Sequence, residues 1–279
     1  MTLIQRPFKI QITLAERLAL VFALISAIGV WHHEIWRDEA QAWLISVNSP
    51  SLADVFQVLR YEGHPGLWYV LLYGIRQLTH DPLAMQLLHL GIATGVVYLF
   101  ARFSPFTRLQ KILFAFGYFP FFEYNLLSRS YSLGVLLLFV FCSCFPRRSQ
   151  TYIPLALCLA LVASTNAYAF IISICLAITL MLEAVFDKQV RGAIAQQKVD
   201  GLISLVILCI GMGLAIAQFL PPSDSIVFQA DSDANVRQSL NEGSYFNLRH
   251  IAATFATFWK SYIPVPDVFD YHFGELICS

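Results

Sequence analysis

Asp38 and Glu39 form an acidic pair that follows a hydrophobic run at once, with Trp36 and Arg37 just before it. Further along, Tyr61, Glu62, Gly63, His64 and Pro65 open a second polar stretch. A carboxylate within reach of a weakly nucleophilic hydroxyl can take its proton. The same pair at a helix start can simply cap it, because the positive end of the helix dipole favours anions. Charge placed directly after an apolar span has to be positioned with care, which favours a chemical role for Asp38 and Glu39. Glu62 and His64 have two readings: they end a turn before Pro65, or His64 touches a phosphate or a metal. Among the cations, Arg129 has Tyr131 two residues on and Glu123 nearby, while Arg237, Arg249 and His250 sit in a later polar segment. Arginine either binds an anion or anchors a helix end by reaching to lipid headgroups. His32, His33 and His64 lack the spacing of metal ligands on a helix. No metal ligand set is therefore predicted, although the carboxylates are compatible with a divalent ion.

The elements that must position these residues are set by composition. The chain has 279 residues, 57% hydrophobic and 13% charged, with 23 Phe and 12 Tyr. That is about half the usual charge of a soluble domain, and it excludes a disordered chain. Lys+Arg and Asp+Glu are 18 each, so no net charge points to nucleic acid. Alternating ten-residue segments of a membrane barrel are absent from the sequence. The expected class is an all-α polytopic membrane protein. Of the six Cys, five lie in long apolar runs and read as small buried hydrophobes. The basic, then apolar N-terminus is similar to a signal peptide, but no small-residue cleavage site follows, so a retained first helix is expected.

Apolar runs long enough to cross are expected at 14–31, 83–101, 109–123, 130–146, 151–165, 167–186 and 201–220. A further run, 66–78, is short. If it does not cross and the N-terminus is inside, eleven of the 18 basic residues and four of the 18 acidic ones fall on the inner side. If it crosses, the basic loops 102–111 and 147–150 move outside. The positive-inside rule thus favours seven spans, with 66–78 at or dipping into the outer interface and an eighth crossing as the alternative. Two outer loops result, 32–82 and 221–250. In the first, Ala40, Trp43, Leu44 and Val47 follow helical spacing, as do Leu52, Val55, Phe56 and Leu59 after a capping signal at Ser51 and Asp54. Two amphipathic helices on the membrane surface are expected there. Trp31, Trp36, Trp43 and Trp68 read as interfacial aromatics, and Asn166 as a tight outer turn.

An acidic pair after the first membrane helix, then His64-Pro65-Gly66-Leu67-Trp68-Tyr69 opening the next apolar run, resembles the GT-C-type membrane glycosyltransferases. These include protein O-mannosyltransferases and bacterial lipid A sugar transferases. The stretch from Asn125 through Ser128, Arg129 and Tyr131 also resembles that family's Ser-Arg segment, and the resemblance covers about residues 14–220. It implies a sugar donor carried on a polyprenyl phosphate and a glycan, lipid or protein hydroxyl as acceptor. It further implies inverting transfer on the outer, periplasmic face of the plasma (inner) membrane. On that reading Asp38 is the general base and Glu39 its catalytic neighbour. Arg37, Glu62, His64, Arg129, Tyr131, Arg237, Arg249 and His250 contact substrate, and no cofactor is required. Two departures stand out. The family's second acid near the Ser-Arg segment is replaced by Ser130 and Ser132, and members usually continue well past the point where residues 221–279 end. A truncated, non-catalytic or partner-dependent module, with a second chain supplying C-terminal helices, is the alternative. A transporter is disfavoured because the span interiors are almost free of charge.

Overall fold

The computed structural model describes residues 12–188, 190–192 and 197–220. The chain divides into two units, Met1–Pro221 and Pro222–Ser279, and every element described lies in the first. All the regular structure among the described residues is helical: α1 (Leu14–His32), α2 (Arg37–Asn48), α3 (Leu52–Glu62), α4 (Leu67–Arg76), α5 (Leu83–Phe103), α6 (Arg108–Ala115), α7 (Ser130–Cys144), α8 (Ile153–Ala163), α9 (Ala167–Phe186) and α10 (Lys198–Phe219). Among the described residues, five stretches are long and apolar enough to cross a membrane: α1, α5, α7 with its following 3₁₀ turn, α9 and α10. Their outward faces carry exposed Leu24, Ile28, Ile171 and Leu202, as lipid contact requires.

Local chemistry sets several boundaries. The Thr13 side chain and Glu16 cap each other's backbone to start α1, and Ser51 and Asp54 do the same for α3. Gly63 ends α3 with φ +63, a conformation that disfavours side chains with a Cβ. Its amide closes back on Leu59 O at 3.1 Å. Asn166, expected as a turn, caps α9 by accepting from the Ala169 amide at 3.0 Å.

Two expected spans, 109–123 and 151–165, hold helices shorter than their apolar runs, and so does the run 66–78, which was not expected to cross. α4 has 10 residues and α8 has 11. At 1.5 Å per residue each covers about half of a hydrocarbon core of about 30 Å. The run 109–123 is not one helix: α6 stops at Ala115, a turn passes through Gly117, and a π-helical turn occupies Phe119–Glu123 around Pro120. Proline removes one amide and clashes with the preceding turn, which breaks the ladder there. The segment still climbs back along α5. Lys111 Nζ donates to Ala101 O near the end of α5, and by Asn125 the backbone lies beside His89, well toward its start.

α5 packs between α1 and α7, and α8 between α7 on one side and α9 and α10 on the other. One buried cluster joins α2, α3, α4 and α5 through Trp43, Val55, Leu59, Trp68, Leu72 and Met85. The amphipathic helices of the first loop thus bury one face of each against α4 and α5. On α2 the buried stripe is Glu39, Ala42, Trp43 and Ser46, not the expected Ala40, Trp43, Leu44 and Val47. Leu44 is exposed. Small and polar residues face the bundle because Glu39 has partners there. Trp43 and Trp68 are core residues, at 4% and 2% exposure, whereas Trp31 and Trp36 are exposed as interfacial aromatics would be.

Candidate functional site

A cavity of about 440 Å³ opens at the end of the bundle where α2, α4, α7 and α9 begin. The first turns of all four helices contribute to its wall: Asp38 from α2, Trp68 and Tyr69 from α4, Ser130 and Tyr131 from α7, Ala167 and Tyr168 from α9. Each helix start brings the positive end of its dipole to the cavity, which favours a negative group there.

Asp38 and Arg129 meet in it. Arg129 Nη2 lies 3.0 Å from Asp38 Oδ2, and their side chains are 36% and 58% exposed. The Arg129 guanidinium also sits 5.2 Å from the centre of the Tyr131 ring, a cation–π contact. Tyr131 faces Tyr168 with ring centroids 6.3 Å apart. Glu62 and His64 also line the cavity. Glu62 Oε2 accepts from Gln41 at 2.8 Å, and His64 Nδ1 donates to Glu62 O at 2.7 Å. Tyr69 is largely buried, and its hydroxyl is pushed up to about 12, first by burial and then by the charges of Glu62 and Asp38 against the opposing Arg129. It remains an O–H donor at neutral pH. Trp68 Nε1 and Ser128 Oγ, both on lining residues, are buried with no hydrogen-bond partner among the described residues.

Glu39 is not in the cavity. Its side chain is fully buried behind the wall and saturated with donors. Oε2 accepts the Trp36 amide at 2.8 Å and faces His33 Nε2 at 2.9 Å, while Oε1 accepts the Ser128 amide at 2.5 Å. Adjacent residues on a helix point about 100° apart, so one acid faces the cavity and the other the packing. Glu39 therefore fixes the loop that carries Arg129. His89 of α5, a residue that sequence reasoning passed over, holds the same loop from below. Its Nδ1 lies 3.0 Å from Asn125 O and its Nε2 3.1 Å from Arg129 O. The available signal was a Gln and a His at i and i+3, Gln86 and His89, inside an otherwise apolar helix. Thr165 and Asn166, from the turn before α9, also line the cavity and were not anticipated as part of a site.

Arg37 turns away and lines a separate open groove with Leu44, Asp54 and Val58. Arg237, Arg249 and His250 lie outside the described residues. Among the described residues, no group of three or more His, Cys, Asp or Glu is arranged to hold a metal ion. The start of α4 is tied to the end of α10 by the Gly66 amide donating to Gln218 Oε1 at 2.6 Å. Comparison with known protein families, with characterised proteins and with solved structures returns no match to this chain.

Proposed function

We propose that this chain is an integral-membrane glycosyltransferase of GT-C-like architecture. It moves a sugar from a polyprenyl-phosphate donor to a hydroxyl acceptor. The observation that carries the reading is one cavity holding a carboxylate, Asp38, and a guanidinium, Arg129, at the converging starts of four helices. Transfer needs a base for the acceptor hydroxyl and positive charge for the departing phosphate. Asp38 is the base. Arg129 and the helix starts receive the phosphate, and Tyr69 and Glu62 offer a donor and an acceptor to sugar hydroxyls. Trp68 Nε1 and Ser128 Oγ are further positions for polar ligand atoms. A single displacement with no covalent sugar–enzyme intermediate inverts the anomeric centre.

The proposed sidedness follows charge. Arg102, Arg108, Lys111, Arg147, Arg148 and Lys198 cluster at helix ends away from the cavity, as an inner face requires. The cavity then opens on the outer, periplasmic side of a plasma (inner) membrane. Seven crossings fit if the broken 109–123 segment and α8 complete theirs with flanking residues. The test is transfer from a labelled polyprenyl-phosphate sugar pool in membranes holding this chain or its Asp38→Asn variant. Transfer by the parent, reduced about 100-fold or more in the variant, is expected. Full transfer by the variant would remove Asp38 from the role.

A further inference from the structure

The two groups that sugar transfer needs separately are bonded to each other: the proposed base and the proposed phosphate cation form one ion pair, Asp38 Oδ2 to Arg129 Nη2 at 3.0 Å. Among the described residues neither group has a second ion-pair partner: Glu62 is bonded to Gln41 and Glu39 to the loop behind. We propose that Arg129 is a shared counter-ion. It holds Asp38 in the empty site, passes to the donor phosphate on binding, and makes Asp38 an internal competitor for that phosphate. This rests on the donor reading given above.

Three observations support the exchange. The pair is partly exposed, so it is weak enough to open. The Arg129 backbone does not have to move, because Glu39 holds the Ser128 amide and His89 spans the carbonyls of Asn125 and Arg129. Only the two side chains swing, and the Tyr131 ring gives the guanidinium a surface to slide across. Finally, the cavity that both charges line is large enough for a phosphate and part of a sugar.

Charge balance makes the exchange productive. In the reaction, the acceptor oxygen bonds to the anomeric carbon as the bond from that carbon to the phosphate oxygen breaks. The bonding electron pair leaves on the phosphate, and the hydroxyl proton goes to Asp38. Asp38 thus loses its negative charge in the same step that turns a phosphodiester monoanion into a monoester near its dianion. The group that competed for Arg129 falls silent as the leaving group needs it most, which is stabilisation realised in the transition state rather than the ground state.

The test is equilibrium binding of farnesyl phosphate to the full chain in phosphatidylcholine nanodiscs, followed by intrinsic Trp fluorescence. Four proteins are compared: parent, Asp38→Asn, Glu62→Gln and Arg129→Gln. Asp38→Asn is expected to bind about two- to five-fold tighter than the parent, the range for releasing one exposed ion pair. Arg129→Gln is expected to bind more weakly, and Glu62→Gln, which removes a carboxylate of the same cavity not bonded to Arg129, to gain clearly less than Asp38→Asn. Equal affinity of parent and Asp38→Asn overturns the competition while leaving the donor reading intact. An equal gain in Glu62→Gln also overturns it, because plain repulsion then accounts for the effect. No binding by parent or Asp38→Asn, in protein with native helical circular dichroism, overturns the donor reading and the exchange together.

Discussion

Glu39 reaches across 89 positions of sequence to accept the Ser128 amide at 2.5 Å, while its neighbour Asp38 faces the cavity and pairs with Arg129. Two consecutive acids therefore do opposite work. Glu39→Ala leaves the buried Ser128 amide without an acceptor, worth about 1–3 kcal/mol, and removes the partner of the half-buried Trp36 amide as well. A large drop in thermal stability in detergent is expected. Asp38→Asn opens only a partly exposed pair, so its stability should stay within about 1 kcal/mol of the parent. Thermal unfolding of the two variants side by side checks this, and equal losses would contradict the division of roles.

Tyr69 gives a pH signature. Its hydroxyl is pushed up to about 12 by burial and by Glu62 and Asp38, above the ordinary value of 10. The folded chain then keeps this proton where the unfolded chain has lost it. Stability carried by the neutral hydroxyl is complete below pH 10 and falls as pH rises from 10 toward 12. Titration of tyrosinate absorbance should show a late-ionising component that shrinks in Tyr69→Phe.

Sidedness can be read directly from Phe106, which is exposed in the short link between α5 and α6. With the six native Cys replaced, Phe106→Cys should be closed to an impermeant thiol reagent in intact cells and open to it once the membrane is breached. Labelling in intact cells would reverse the proposed orientation.

Close packing of α8 and α10 depends on Gly211. A Cβ there would stand 2.3 Å from Ala160 Cβ and 2.8 Å from its Cα, both rigidly attached to a helix. Gly211→Ala should therefore destabilise by about 1–3 kcal/mol despite its better helix propensity. Unchanged unfolding would mean that the two helices separate at no penalty.

How much of this was legible beforehand differs element by element. The capping signal of Ser51 and Asp54, the extents of α1, α5 and α9, and the helical loop between α1 and α4 could be read locally, because caps and apolar length act within a few residues. The residues gathered in the cavity, Asp38, Glu62, His64, Arg129 and Tyr131, were candidates partly by residue type and partly by the resemblance of the motifs that hold them. Their neighbours Trp68 and Tyr69 stood only as the apolar end of the His-Pro motif, Asn166 as a turn and Thr165 as the end of an apolar run. The break of 109–123 at Gly117 and Pro120 was masked by the run's continuous hydrophobicity.

Sequence alone determined the class and the limits: too little charge for a soluble domain, apolar runs of membrane length, and an acidic pair at the end of the first of them. Tertiary structure alone decided which acid faces the cavity, since neighbouring residues diverge on a helix and only the packing of α2 selects its inward stripe. It also decided that Arg129 meets Asp38, because that contact joins chain segments brought together by α5 and by His89, and long-range pairing leaves no periodic trace in a single chain.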